Sequence, residues 1–237
     1  YVDRIHSACF SPDSNRVYVA CSSEVLAIDI PSGHLAWVYQ TSRVFGFLRS
    51  TPLTVASTPT GEIVVSSTCG DIDVVDPQGH LIARWRDSSA PQSMAILPDG
   101  DTIIGVDGHV MQTWSISKRQ RLARISGGED GITLAAAPNG EYALVRIDGR
   151  YARYDILSGE WTANLDIAPA VSSLAIRGDS AEIAFIEDEG VTKVTPHLVR
   201  LDRFAVPDLR AISVAYDPND GNVLIGNGDG SIVRWLR

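Results

Sequence analysis

The sequence predicts an all-β protein made of six repeated units, and two regularly spaced markers support this prediction. Turn residues recur at steps of 47, 39, 40, 40 and 40 residues, at Pro12, Pro59, Pro98, Pro138, Gly178 and Pro218. A large apolar residue recurs at steps of 47, 39, 40, 40 and 41 residues, at Ile28, Val75, Trp114, Tyr154, Val194 and Trp235. Each unit also contains short β-branched segments that Gly, Pro, Asp or Ser separates, as strands and hairpin turns do. Four short antiparallel strands per repeat are typical of a β-propeller blade, so we expect six such blades.

The first unit shows the design most clearly. An apolar segment enters the turn at Pro12 and Asp13, and a β-branched, aromatic segment leaves it, which predicts a hairpin. We call the four strands of a unit a, b, c and d. In this unit they are expected at His6–Phe10, Arg16–Cys21, Val25–Ile30 and Leu35–Gln40.

The later units follow the same order. Their blades are expected at about 51–86, 91–126, 131–166, 171–206 and 211–237, after a first blade at about 1–40. Together they predict a single propeller domain over residues 1–237, because a repeat unit cannot bury its apolar face alone. The large apolar residue late in each strand c is expected to lie between neighbouring blades.

The sixth unit ends at strand c, so its strand d must come from elsewhere. A propeller protects its sheet edges by completing the last blade. Residues Tyr1–Ile5 align with a connection rather than with a strand, so we expect blade six to be three-stranded or patched by a slipped pairing of Tyr1–Asp3. Tyr1 is not a start methionine, and we expect a larger chain to supply the missing strand or even a seventh blade.

Composition and charge narrow the class of partner. The chain is 44% apolar and 21% charged, which is typical of a folded globular protein. Its net charge is −9, which argues against a nucleic-acid partner. No apolar run reaches the ~18 residues needed to span a membrane, so no membrane insertion is expected.

The three cysteines are predicted to be free thiols. Cys9, Cys21 and Cys69 have no metal-ligand or redox spacing. Counted from the Pro12 turn, Cys9 falls opposite Tyr18 and Cys21 opposite His6, so a Cys9–Cys21 bridge would need a register slip. Unpaired thiols favour a reducing compartment, such as the cytoplasm, over an oxidising one.

On these repeats the sequence resembles the WD40 and YVTN-type repeat propellers. The first unit looks like a YVTN-type repeat, and the segments around Trp114 and Trp235 look like strand c of a WD40 blade. The Gly-His pair that WD40 repeats carry between strands d and a is not found there, because Gly33-His34 and Gly79-His80 fall in c–d turns. The resemblance implies a propeller that presents its loops to a protein or peptide partner.

The interval between units one and two is seven residues longer than the usual step of 40, and the extra residues fall in the d–a connection at residues 41–50. This segment contains Arg43, Phe45, Phe47 and Arg49, and aromatic and arginine side chains are enriched at protein interfaces. The segment is therefore a candidate contact patch. The alternative is that Phe45 and Phe47 pack between blades and the loop is merely longer.

The b–c turns are predicted at the same end of the blades as this segment. They carry Asp107, His109, Asp148 and Asp229, which complete the candidate partner-binding residues. If the acidic loop residues share one face, that face would attract a basic partner. Ordinary solvated loops are the alternative.

We found no sequence pattern for catalysis, a metal or a cofactor. The five histidines lack metal-ligand spacing, and no nucleophile motif occurs. The segment Ala27–Trp37 resembles the tryptophan-docking motif of quinoprotein propellers, which implies a packing detail and no quinone cofactor. The sequence thus favours a non-catalytic interaction module, or scaffold. One alternative is a lactonase or hydrolase propeller with a site at the mouth of its central channel, and a second is a purely architectural repeat.

Overall fold

All regular structure that could be described is β-strand. A computed structural model describes residues 4–44, 48–107, 110–126, 134–147, 150–165, 173–187, 190–205, 211–217 and 219–236. Within these ranges no helix is long and apolar enough to cross a bilayer. The chain forms two compact regions, residues 1–127 and residues 128–237, which are described in turn. From here on, the first and second unit are these two regions, and each of the six sequence repeats is called a blade.

The first unit contains three four-stranded antiparallel sheets and one short extra ladder. Its strands are β1 (Ile5–Phe10), β2 (Arg16–Cys21), β3 (Glu24–Asp29), β4 (Leu35–Gln40), β5 (Arg43–Val44), β6 (Leu48–Arg49), β7 (Pro52–Ser57), β8 (Ile63–Ser67), β9 (Asp71–Val75), β10 (Leu81–Arg86), β11 (Ser93–Ile96), β12 (Thr102–Asp107), β13 (Val110–Ser115) and β14 (Gln120–Ser126). Blade 1 is β1–β4, blade 2 is β7–β10 and blade 3 is β11–β14, each in the order a to d.

The second unit contains two four-stranded sheets and one three-stranded sheet. Its strands are β15 (Leu134–Ala136), β16 (Tyr142–Ile147), β17 (Arg150–Asp155), β18 (Glu160–Leu165), β19 (Leu174–Ile176), β20 (Ile183–Glu187), β21 (Gly190–Val194), β22 (Arg200–Ala205), β23 (Ala211–Tyr216), β24 (Val223–Asn227) and β25 (Ile232–Trp235). Blades 4, 5 and 6 begin at β15, β19 and β23. Six successive antiparallel sheets of this kind confirm the predicted fold class, a six-bladed β-propeller.

The core of each unit follows the two-residue period of its strands. In β8 of blade 2, Ile63 and Val65 belong to a core cluster with Tyr18 of blade 1, whereas Val64 between them belongs to a cluster with Trp114 of blade 3. In blade 5, Ile183 and Phe185 of β20 join a cluster with blade 4, and Ala184 and Ile186 join one with blade 6. A strand buried on both faces explains why the b strands are apolar almost throughout rather than alternating.

The large apolar residues of strand c behave largely as the repeat predicts. Val75, Trp114 and Val194 are fully buried and Tyr154 nearly so, while Ile28 and Trp235 are half-buried. Strands c and d also share a register shift near this point in all five four-stranded blades. The repeat therefore extends to the bulge that precedes each c–d turn.

Blade 6 has three strands in the described part of the chain, as the sequence predicts. Tyr1–Asp3, the predicted patch, lie outside the described residues, and so does the turn residue Pro218. A single propeller domain across both units stays a prediction.

One strand register differs from the prediction. Cys9 lies opposite Tyr18 as expected, but Cys21 lies opposite Ile5 rather than His6. The cause is a bulge between Ile5 and Ser7, which a count from the turn does not detect. Cys9, Cys21 and Cys69 are all free thiols.

Candidate functional site

The long d–a connection between blades 1 and 2 forms a small β-hairpin. β5 pairs antiparallel with β6, with Arg43 opposite Arg49 and Val44 opposite Leu48. The base is closed by the Ser50 N–H, which donates to the Ser42 carbonyl at 2.9 Å. The Thr41 hydroxyl donates to the carbonyls of Ser23 and Ser50, and Thr41 and Ser50 are almost fully buried. The insertion thus has a defined backbone at its base.

A second set of hydrogen bonds attaches this base to the b–c turn of blade 2. The Ser42 hydroxyl donates to Oδ2 of Asp71 at 2.5 Å. The Cys69 backbone N–H donates to Ser50 Oγ at 3.1 Å, and Ser50 Oγ lies 3.2 Å from Thr68 Oγ1. The orientation of the hairpin is therefore set by blade 2 as well as by blade 1.

Two aspartate–arginine pairs lie across strands c and d of blade 2, directly below the hairpin base. The Arg86 guanidinium donates to both carboxylate oxygens of Asp71, at 2.7 and 3.1 Å. Two residues along each strand, Arg84 does the same to Asp73 at 2.6 and 2.9 Å. The Tyr39 hydroxyl of blade 1 donates to Asp73 Oδ2 at 2.7 Å, so this ladder faces blade 1.

The surroundings of Asp71 favour its charged form. Burial would raise the pKa of this carboxyl, but hydrogen bonds from Arg86, Ser42 and Cys69 outweigh burial and lower the pKa to about 2. Burial is the main cause that raises the pKa of Tyr39, and the negative charge of Asp73 is the second. The hydrogen bond to Asp73 raises the pKa of Arg84. Asp71 and Arg84 therefore stay charged at neutral pH.

Cys69 lies at the junction of the hairpin base and the b–c turn. Its Sγ is 3.5 Å from Ser42 Oγ, 3.4 Å from Ser67 Oγ and 3.1 Å from Asp71 Oδ2. Burial would raise the pKa of this thiol, but hydrogen bonds from Ser50, Ser67 and Ser42 outweigh burial and lower the pKa. The Cys69 thiol is therefore easier to deprotonate than that of Cys9, whose pKa is raised by burial to about 12.

Next to Cys69 is a polar pocket of about 310 Å³, which we call the blade 2–3 pocket. One wall is the b–c turn of blade 2, the other is the connection from blade 2 to blade 3, and Asp107 closes it from the end of β12. The lining residues are Leu53, Ser67, Thr68, Cys69, Gly70, Ser88, Ser89, Ala90, Gln92 and Asp107.

The predicted contact residues divide into three groups. Arg43 and Arg49 are opposite each other in the backbone register of β5 and β6, and Asp107 lines the blade 2–3 pocket together with Thr68 and Cys69. Asp229 lies in the b–c turn of blade 6, where it accepts the Ser231 N–H at 2.9 Å. Phe45, Phe47, His109 and Asp148 lie outside the described residues.

Sequence reasoning missed the residues that anchor the site, Ser42, Ser50, Cys69, Asp71 and Arg86. One signal was present: Asp71 and Asp73 alternate on strand c, and Arg84 and Arg86 alternate on strand d. At a period of two, such charges share one face of a sheet and pair across strands. In the described ranges no group of three or more His, Cys, Asp or Glu side chains could hold a metal ion.

Comparison with solved structures defines the class of fold. The chain has a β-propeller fold, and 1595 chains of solved structures match it, so the fold alone selects no function. A chain in the crystal structure of a mitotic checkpoint complex has 16% sequence identity and a TM-score of 0.79, covering 98% of this chain and 74% of that one.

A second similar structure is the hydrazine synthase of Kuenenia stuttgartiensis. It has 18% sequence identity and a TM-score of 0.78, and the match covers 94% of this chain and 73% of that one. No protein-family model and no curated protein sequence matches the chain.

Proposed function

We propose that this protein is a non-catalytic interaction module that binds a protein or peptide partner through the hairpin at residues 41–50. The observation that carries the proposal is the insertion itself. The one long step in an otherwise even repeat is built as a hairpin whose base is attached to two blades.

The composition of the hairpin fits this role. Arg43 and Arg49 flank Phe45 and Phe47, and arginine and aromatic side chains dominate the binding energy of many interfaces. An anchored base lowers the entropy lost when a loop becomes ordered on binding. A similar propeller chain comes from a structure of a mitotic checkpoint complex, which is consistent with protein partners for this fold.

The test compares affinity capture by the wild type, by Phe45→Ala plus Phe47→Ala, and by Leu157→Ala. Leu157 is 96% exposed in a turn of the second unit, so Leu157→Ala is a matched loss of exposed apolar surface. We expect proteins captured by the wild type and by Leu157→Ala to be lost from the double variant. Capture of the same proteins by all three would contradict the proposal.

Chemical denaturation of the double variant decides between a contact patch and a core role for the rings. If the rings contact a partner, the free energy of unfolding should change by less than about 1 kcal/mol. A loss of about 3–5 kcal/mol per ring would show that they pack between blades instead.

A further inference from the structure

The walls of the blade 2–3 pocket are held in place before any ligand binds. The Asp87 N–H donates to the Gly70 carbonyl at 2.9 Å, which joins the two walls. The Gln112 side-chain amide, almost fully buried, donates to Ser89 Oγ at 2.6 Å, and the Gln92 N–H donates to the Val106 carbonyl at 2.8 Å. A preformed pocket lined by hydroxyls and an amide is suited to a polar group.

Gly70 shows how closely the walls approach each other. It has φ +86°, and an added Cβ would lie 2.2 Å from the Asp87 carbonyl oxygen. A side chain here would separate the walls, so the pocket depends on this glycine.

The charges around the pocket are neutralised, with one exception. Arg86 is held by Asp71, and Asp87 accepts from the Trp114 indole at 2.9 Å and lies 3.4 Å from Arg121. The backbone of Asp107 pairs with Val110 in the β12–β13 ladder, but its carboxylate has no hydrogen-bond or ion-pair partner among the residues that the structure describes. Among the described lining residues, Asp107 is the only acidic one and none is cationic.

A groove at the other end of blades 1 and 2 provides a contrast. It has a volume of about 690 Å³, and its charged lining residues are Asp13, Arg16 and Asp29. Asp13 accepts from Ser11 and Asn15, Asp29 accepts from Ser32, and Arg16 donates to the Pro77 carbonyl. The larger groove thus has its charges satisfied, whereas the smaller pocket contains a carboxylate that pairs with none of the described side chains.

We infer that the blade 2–3 pocket binds one cationic side chain, a lysine or an arginine, of the partner; this rests on the proposed function. The Asp107 carboxylate accepts hydrogen bonds from the ammonium or guanidinium group. The hydroxyls of Ser88 and Ser89 and the Gln92 side chain, which share the lining with Asp107, supply further polar contacts. The pocket adjoins the hairpin base through Thr68 and Cys69, so a partner on the hairpin can reach it with a neighbouring residue.

The experiment uses single-residue probes and the whole chain, so it needs no identified partner. Backbone NMR spectra are recorded with N-acetyl-lysine methylamide, with N-acetyl-arginine methylamide and with the neutral N-acetyl-norleucine methylamide. At least one cationic probe should give saturable shifts at the amides of Thr68, Ser89 and Gln92, and norleucine should give none. Equal shifts with norleucine, or no saturable shift with either cation, would overturn the inference.

Two variants test whether the Asp107 carboxylate is the group that binds the cationic probe. Asp107→Asn should weaken binding of the cationic probe about tenfold, because it removes a charged hydrogen-bond acceptor. Glu24→Gln removes a carboxylate near the b–c turn of blade 1, outside the pocket lining, and should leave binding unchanged. Equal binding by wild type and a folded Asp107→Asn would exclude Asp107 as the receptor. Failure of the hairpin capture test with intact probe binding would instead separate this pocket from the proposed function.

Discussion

The two ends of the junction between blades 1 and 2 are built differently. At the a–b end, the Trp37 indole lies against Gly79 of blade 2, stacks on Tyr18 at 5.6 Å and donates Nε1–H to the Pro77 carbonyl at 3.0 Å. At the b–c end, the contacts are hydroxyls, carboxylates and a thiol around Ser42, Asp71 and Cys69. One end joins the blades by close packing, whereas the other leaves polar groups in reach of solvent.

This difference suggests that one end of the junction contributes mainly to stability and the other mainly to binding. Close packing of the Trp37 ring contributes to stability, and the charged groups in the groove beside it are already paired within the chain. A polar network with a half-exposed thiol and arginine contributes less to stability and leaves groups open to contact. Substitutions at the two ends should therefore separate stability from binding.

The largest effect is expected at the packed end. Trp37→Ala removes the indole contact with Gly79, the stack on Tyr18 and the hydrogen bond to Pro77. We expect a loss of about 3 kcal/mol in the free energy of unfolding, measured by urea denaturation. The matched control is Trp161→Ala, because Trp161 is 37% exposed and packs edge-on against Tyr154 of its own blade.

A double-mutant cycle sharpens this expectation. An alanine Cβ at Gly79 would lie 2.9 Å from the Trp37 ring, and the φ of +93° adds strain whichever residue faces it. Gly79→Ala should therefore lower the free energy of unfolding by less in the Trp37→Ala variant than in the wild type. Equal costs in both backgrounds would show that the ring does not pack on this glycine.

The sequence predicted the backbone positions of the repeat better than the partners of its side chains. In blades 2 and 5, a proline carbonyl in the c–d turn accepts a hydrogen bond from the preceding blade. The two prolines are Pro77 and Pro196, at equivalent places in the repeat. The donors in blade 1 are Trp37 and Arg16, whereas in blade 4 the donor is Arg153 at 3.1 Å. Trp161 lies opposite Tyr154, as Leu35 lies opposite Ile28 in blade 1, so it is not the equivalent of Trp37 and packs within its own blade.

The physical reason is that a turn is specified locally and a side-chain contact is not. Proline and glycine fix turn dihedrals within a few residues, so the repeat spacing reveals them. Ser42, Cys69 and Asp71 meet only because two blades place a connection beside a turn. The contact depends on the rotation between blades, which no short pattern records.

A smaller effect is expected at the polar end and depends on pH. The pKa of Asp71 is lowered to about 2, so its favourable contribution is complete above the unfolded-state pKa of about 4 and is lost as the pH falls towards 2. Arg86 is 64% exposed, and solvent screening reduces the contribution to about 1 kcal/mol. Between pH 5 and pH 2, the wild type should lose about that much more stability than Asp71→Asn. Parallel stability curves for the two proteins would contradict the assignment.

The smallest effect on stability is expected from modification of Cys69. This modification tests directly whether the polar end of the junction is reactive without contributing to stability. Cys69 is half-buried with a lowered pKa, whereas burial raises the pKa of Cys9 to about 12 and Cys21 is buried. Because the thiolate is the nucleophile, iodoacetamide at neutral pH should modify Cys69 first in the folded protein. Peptide mapping by mass spectrometry measures the order of modification, and Cys69→Ser provides the blank.

The melting temperature of the protein modified only at Cys69 should change by less than about 2 °C, because the thiol lies outside the packed core. Modification of Cys9 at a rate equal to that of Cys69 would show that the hydroxyls of Ser42, Ser50 and Ser67 do not activate this thiol.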